Sequence, residues 1–375
     1  MMNYIALKDV CTINMGQSPE SSSYNEIGDG IPFFQGNADF GERYPITRVW
    51  CNKPTKVAKA EDILISVRAP IGAMNYAKEK CCIGRGVAAL TPNEEKVSSE
   101  FIFWLLKGKN NELNQKGTGS TFKAIGRKVL EEIQVPEINL ELQRKYASNL
   151  ERIYSIIQDR QRQLEQLDKL VRARFVEMFG DVKINQHNYK KVKIKQVLKS
   201  CEAGWSGNGT QRVKKDDEIA VLKVSAVTKG YFIPEECKVL DDQENIKKYV
   251  TPEKGDLLFS RANTREMVGA TAIVREDYPT LILPDKLWKI RFNDSAKVFY
   301  MKYVLSSKSI RNEFSAYSTG TSGSMFNVSM DKFKEIESPI APIELQNQFA
   351  DFVQAIDKSK LQYHPHTHTC QPNTS

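Results

Sequence analysis

The stretch Asp62-Ile63-Leu64-Ile65-Ser66 returns as Asp256-Leu257-Leu258-Phe259-Ser260, with Arg68 just beyond the first and Arg261 beyond the second. Two further pairs of blocks follow in the same order. Gly117-Thr118-Gly119-Ser120-Thr121-Phe122 answers to Gly320-Thr321-Ser322-Gly323-Ser324-Met325-Phe326. Ile133-Gln134-Val135-Pro136, followed by Leu142-Gln143, answers to Ile336-Glu337-Ser338-Pro339, followed by Leu345-Gln346. The offsets are 194 (62 to 256), 204 (119 to 323) and 203 (143 to 346). Several blocks in one order at a slowly drifting offset mark a duplicated domain, because solenoid repeats recur every 20–50 residues or so. Two similar modules on one chain imply two similar targets.

The chain has 375 residues, room for two domains of ordinary size. Its composition, 41% hydrophobic and 27% charged, is that of a globular protein with real cores. Seven cysteines are scattered without zinc-site spacing, which points to reduced thiols and a cytoplasmic protein. No apolar run approaches the roughly 20 residues of a membrane span, and the N-terminus lacks a leader pattern, so no membrane partner is expected. A net charge of +8 fits an anionic partner and equally fits an ordinary basic enzyme.

The first module spans residues 1–138 and the second 189–342, each a mixed α/β (α+β) domain. In each, the Asp-led block reads as a buried strand after a turn. Phe101–Leu106 and Phe299–Leu305 read as helices, and Trp288–Phe292 as a late strand. Between the modules, 139–181 contains a long stretch without Gly or Pro before Gly180. There Leu150, Ile153, Ile157, Leu164, Leu167 and Val171 form a heptad seam with charges on the other faces. At about 1.5 Å per residue such a spacer helix reaches about 60 Å. A helix with one apolar stripe needs a partner. The natural one is a second, shortened helix over 343–362, with Phe349, Phe352, Val353 and Ile356. Beyond it, 363–375 loses all periodicity and reads as a disordered tail. Its His364, His366, His368 and Cys370 alternate as metal ligands sometimes do, but nothing else is placed to complete a site. A frameshift that replaced the rest of the second helix would account for the collapse.

Catalytic motifs are missing. His187 is the one histidine before the tail, so no histidine dyad or triad forms. There is no phosphate loop, since Gly117–Thr121 lacks the following Lys. No Asp/Asn-Pro-Pro-Tyr/Phe segment of the amino-methyltransferase kind occurs. Pro284-Asp285 has the start of a nuclease carboxylate motif, but no Asp/Glu-x-Lys follows it at a useful distance. The Asp of each repeated block reads as a turn cap rather than a catalytic carboxylate.

What remains is suited to binding DNA. Ser120 and Thr121, with Lys123 and Arg127, offer hydroxyls and cations to a phosphate. Ser324 and Asn327 sit in the corresponding loop of the second module. Arg68 and Arg85 in one module, and Arg261 and Arg265 in the other, lie beside strand ends where a guanidinium could grip guanine. Each of these arginines reads equally as a solvated or ion-paired surface residue.

At these residues the chain resembles the specificity (S) subunit of type I restriction–modification systems. Leu7-Lys8-Asp9-Val10 to Gly16-Gln17-Ser18-Pro19, the Asp62 block, Gly117–Phe122, and Val135-Pro136 leading to Leu142-Gln143 match that family in order, then the coil, then all of it again. The resemblance implies a noncatalytic recognition subunit with two target-recognition domains, each reading half of a bipartite double-stranded DNA site. The helices would fix the spacing and dock two methyltransferase (modification) subunits. Cofactors would sit on partner chains: S-adenosylmethionine on the methyltransferases, ATP and Mg on restriction/translocase subunits. Two other classes stay open, a fused restriction or methylation enzyme and a coiled-coil scaffold without DNA affinity.

Overall fold

The computed structural model describes residues 3–119, 123–317 and 326–361. Two compact units, Met1–Asp159 and Arg160–Ser375, meet within one continuous helix, Leu140–Phe179. This is the long spacer helix expected from the uninterrupted run, and a shorter closing helix, Ile343–Leu361, follows the second module.

The first unit is built on an antiparallel sheet in the order Cys11–Met15, Val87–Pro92, Ile63–Ser66, Met74–Tyr76. The Asp62 block is its buried third strand, apolar on both faces because a second sheet and a helix cover it. That second, five-stranded sheet pairs Phe33 and Phe34 in parallel with Cys82 and Ile83. The helix Ser99–Gly108 closes the core, with Ser98 capping it through a 3.1 Å bond from Phe101 N–H.

The second unit repeats the plan. Its main sheet runs Leu198–Ala203, Leu287–Phe292, Leu257–Ser260, Thr271–Ile273. Its smaller sheet likewise holds one parallel pair, Ala220 and Val221 beside Leu281 and Ile282. Each module is sealed by a short ribbon between its first strand and the strand before its long helix, Tyr4–Ala6 with Gln134–Pro136 and Lys191–Lys193 with Glu337–Pro339.

Asp62 and Asp256 hold the turns that launch the central strands. Each is buried, and each accepts a 2.7 Å bond from the backbone three residues earlier, Lys59 N–H and Glu253 N–H. The residue before each Asp is left-handed, Glu61 at φ 68° and Gly255 at φ 90°. The remaining carboxylate oxygen has diverged. In Asp62 it accepts from the Thr91 hydroxyl at 2.7 Å, whereas in Asp256 it meets Arg291 at 2.6 Å, and the Lys289 ammonium lies 3.3 Å from the oxygen that caps the turn. The turn-cap reading of the sequence holds in both copies.

The seam is closed at one end. Within the second unit the closing helix runs antiparallel to the spacer helix: Phe349 meets Phe175 and Phe179, Phe352 lies beneath Arg174, and Lys360 bonds Asp168. Val171 is 1% exposed in that core, with Leu164 and Leu167 half-buried. Leu150, Ile153 and Ile157 are instead 44%, 55% and 47% exposed. Among the described residues of the second unit, the closing helix partners the last spacer turns.

Each long helix is fastened by one buried glutamine, Gln143 at 1% and Gln346 at 0% exposure. Gln143 Oε1 accepts from Ser98 N–H at 2.9 Å, and its Nε2 donates to Ile138 O at 2.8 Å and Lys96 O at 3.2 Å. Gln346 repeats this with Lys297 N–H at 2.8 Å, Ala341 O at 2.7 Å and Ser295 O at 3.2 Å. Replacing it by an apolar side chain leaves one part-buried donor and two carbonyls, that of Ala341 buried, without their partner. Gln346→Leu is therefore expected to cost about 2–3 kcal/mol by chemical denaturation. Gln348→Leu, on the exposed side of the same turn, should stay within about 0.5 kcal/mol.

Candidate nucleic-acid interface

The expected DNA-contacting residues of the first module converge at one end of its main sheet through the backbone. Arg68, two residues past the central strand, bridges to Ala124, and Ala69 N–H donates to Lys123 O at 3.0 Å. Val67 N–H donates to Gly86 O at 2.9 Å, which brings the Arg85 turn alongside. Thr118 and Ala124 exchange two backbone bonds, 3.0 and 2.9 Å. Arg68, Arg85 and Lys123 are exposed there. Arg127 stands next to this cluster, but its Nε is engaged by Glu131 at 2.7 Å. Ser120 and Thr121 lie outside the described residues.

The second module assembles the same loops with other side chains. Arg261 N–H donates to Lys286 O at 3.1 Å as Val67 does to Gly86, and Val328 N–H donates to Arg261 O at 2.9 Å as Ile125 does to Val67. Asp285 N–H donates to the Ser206 hydroxyl at 3.2 Å, as Arg85 N–H does to Ser18 at 3.4 Å. These bonds fix the correspondence: Arg261 occupies the place of Val67, Ala262 that of Arg68, and Asp285 that of Arg85. The sequence pairing of Arg68 with Arg261 is therefore corrected by one residue. Alignment on the shared Ser66 and Ser260, at the same offset of 194 as the Asp-led blocks, agrees: buried Val67 stands opposite Arg261 and Ala262 opposite Arg68.

Arg261 is not a solvated arginine. Its Nε donates to Asp285 O at 2.9 Å and its Nη2 to Asp285 Oδ2 at 3.3 Å. Asp285 also accepts from the Ser206 hydroxyl. Asn327 pairs with Ala262 in a two-residue ribbon beside this pair. Arg265 is exposed in the turn that Met267 and Val268 close onto Thr264. Ser324 lies outside the described residues, as do the tail histidines. Asp285 and Ser206 join this cluster although sequence reasoning does not single them out for binding; the one local signal is Pro284-Asp285, read there as the start of a nuclease motif.

Burial pushes the thiols of Cys11, Cys81 and Cys82 up to about 12 and that of half-buried Cys201 to about 11, far above the range where a thiolate forms at neutral pH.

The first unit also pins its part of the spacer helix. Glu151 meets Arg43 at 2.6 Å and Trp104 Nε1 at 3.3 Å, while Tyr154 lies edge-on to Trp104 with the Lys107 ammonium 3.5 Å from its ring centre. Gly41, Gly72, Met74, Phe103 and Gln158 complete a cavity of about 500 Å³ around this contact. No described helix is long and apolar enough to cross a membrane.

Known proteins agree with this duplicated plan. The family model described as the type I restriction modification DNA specificity domain matches twice, over residues 2–167 and 186–366. A putative type I restriction enzyme MjaX specificity subunit from Methanocaldococcus jannaschii is 48% identical over 157 residues, covering 42% of this chain and 37% of the relative. The type I restriction enzyme EcoKI specificity subunit from Escherichia coli is 23% identical over 297 residues, covering 72% of this chain and 62% of the relative. The chain thus spans between about a third and two thirds of the length of these curated relatives. A crystal structure of the type I restriction-modification system S subunit from M. genitalium superposes with a TM-score of 0.57 at 13% identity, over 97% of this chain and 91% of that one, a likeness of fold. With two matched domains that together take in nearly all its residues, the chain belongs to the type I restriction modification DNA specificity domain family.

Proposed function

We propose that this chain is the noncatalytic, sequence-reading subunit of a cytoplasmic type I restriction–modification complex. Residues 1–138 and 189–342 are its two target-recognition domains, each reading one half of a bipartite duplex site. The helices over 139–181 and 343–362 set the gap between the halves and dock two methyltransferase subunits. Methyl transfer from S-adenosylmethionine, and ATP- and Mg-dependent translocation and cleavage, belong to partner chains. The observation that carries this reading is one backbone scaffold, used twice, bearing different side chains at corresponding loops: Val67 and Arg85 against Arg261 and Asp285, each over a shared serine, Ser18 or Ser206. A protein that meets two unlike half-sites needs this combination. The exposed seam residues Leu150, Ile153 and Ile157 favour partner docking along the spacer helix.

Selection from randomised duplexes should recover two short blocks separated by a fixed gap. One continuous block, or none even with methyltransferase subunits added, overturns the reading. The cations at the loop ends act largely on phosphates, so log affinity should fall linearly with log salt. A scaffold without DNA affinity would show no such slope. Arg68→Ala should weaken binding by about tenfold and alter one half-site while the other keeps its sequence preference. Equal loss in both halves would refute module independence.

A further inference from the structure

We infer that Arg261 and Asp285 together form a fixed donor–acceptor head that reads a single G·C base pair, a device the first module lacks. The inference rests on the second module being a DNA reader and names the base pair it recognises. Arg261 spends two of its donors on Asp285, one on the backbone carbonyl at 2.9 Å and one on the carboxylate at 3.3 Å. A guanidinium has five N–H groups, so three remain. Asp285 receives one bond from Ser206 and one from Arg261 on a carboxylate with about four acceptor positions, so about two remain. Neither side chain is sealed: they are 30% and 45% exposed.

A pair built only for stability would turn its groups inward. This one is held at its base by Ser206 and by the Asp285 backbone while leaving donors and an acceptor toward solvent. In the major groove, guanine shows two acceptors, N7 and O6, and its cytosine shows one donor, the N4 amino group. Remaining guanidinium donors beside a remaining carboxylate acceptor are the complement of that edge. Holding both groups in advance also lowers the ordering cost on binding.

The corresponding place in the first module cannot do this. Val67 is buried, and Arg85 stands where Asp285 stands, with Ser18 beneath its backbone as Ser206 lies beneath that of Asp285. It offers donors alone, which suits guanine or phosphate but gives cytosine nothing. The opposite charges at these matched positions explain how one scaffold can prefer different bases in its two halves.

The test is duplex selection with the full chain and with Arg261→Gln and Asp285→Asn. The unaltered chain should enrich G·C at one position of one half-site. Either substitution should lower that preference about tenfold, leaving the other half-site unchanged. Uniform weakening across sequences, with the salt slope reduced by about one, would make Arg261 a phosphate clamp and overturn the inference. Unchanged selection with a lower melting temperature would reduce the pair to a structural tie and overturn it as well. The unaltered chain can be challenged independently of any variant, using its selected duplex with 7-deazaguanine or N4-methylcytosine at that position. A loss of about tenfold with either base supports the reading, and undiminished binding to both overturns it. A bipartite site without G·C in either half sinks this inference alone, whereas recovery of no bipartite site sinks the DNA-reading function beneath it.

Discussion

A buried side-chain amide at the root of each long helix is the constraint on which the rest depends. The spacer helix carries charges on most of its surface and one apolar stripe, so propensity alone would leave its direction undetermined. Gln143 removes that freedom. Its buried amide joins the first helical turn to the backbone on either side of Val97 and to Ile138, just past the ribbon that seals the module. A shift of the helix would strand a buried donor and two acceptors together, which costs more than any single surface contact returns. Gln346 imposes the same geometry on the closing helix. The departure of each helix from its module is thereby set by main-chain partners, which do not depend on the identity of nearby side chains.

The same separation between backbone and side chain runs through the loops. Val67 and Arg261 make equivalent bonds to Gly86 and Lys286, and Ile125 and Val328 return equivalent bonds to them. Since these are N–H to carbonyl bonds, the residues can change from apolar to charged without loss of the scaffold. Divergence reaches into the core only where a compensating partner exists. Thr91 gives Asp62 a hydroxyl, while Arg291 and Lys289 give Asp256 two cations, and the Lys289 and Arg291 bonds in turn hold the Glu253 carboxyl down to about 2. A buried carboxylate tolerates either arrangement because both satisfy its lone pairs.

How much of this was legible in the sequence follows from which interactions are local. Asp62-Ile63-Leu64-Ile65-Ser66 announces a buried strand because its residues are apolar on both faces, and its duplicate announces a second domain. The uninterrupted run after Ile138 announces a helix. The register of the loop after each central strand is legible only when the offset of 194 is carried past Ser66, which sets Val67 opposite Arg261 and Arg68 opposite Ala262 as the backbone bonds do; matching the next arginine after each strand loses it by one residue. The pairing of Asp285 with Ser206 and Arg261 is not legible, because they are separated from it by 79 and 24 residues. Long-range pairing of that kind leaves no local pattern. The limit of the helix pair was only half legible, since a heptad shows where a seam can form and not how far its partner reaches.

That limit matters physically. Where Phe349, Phe352 and Val353 meet the spacer helix, the stripe joins a core with Val171, Phe175 and Phe179. Along Leu150, Ile153 and Ile157 it stays in water. Covering such side chains yields about 25 cal/mol for each Å² removed from solvent, so the exposed stretch is a standing source of binding energy. The charged neighbours Arg144, Lys145, Arg152, Asp159 and Arg160 ring the stripe with both signs, which orients an approaching surface more than it strengthens the contact. Because Glu151 and Tyr154 are already committed to Arg43, Trp104 and Lys107, the helix cannot rotate to bury the stripe against its own module. The contacts that fasten the helix to the first module are thus the ones that leave this apolar stripe exposed.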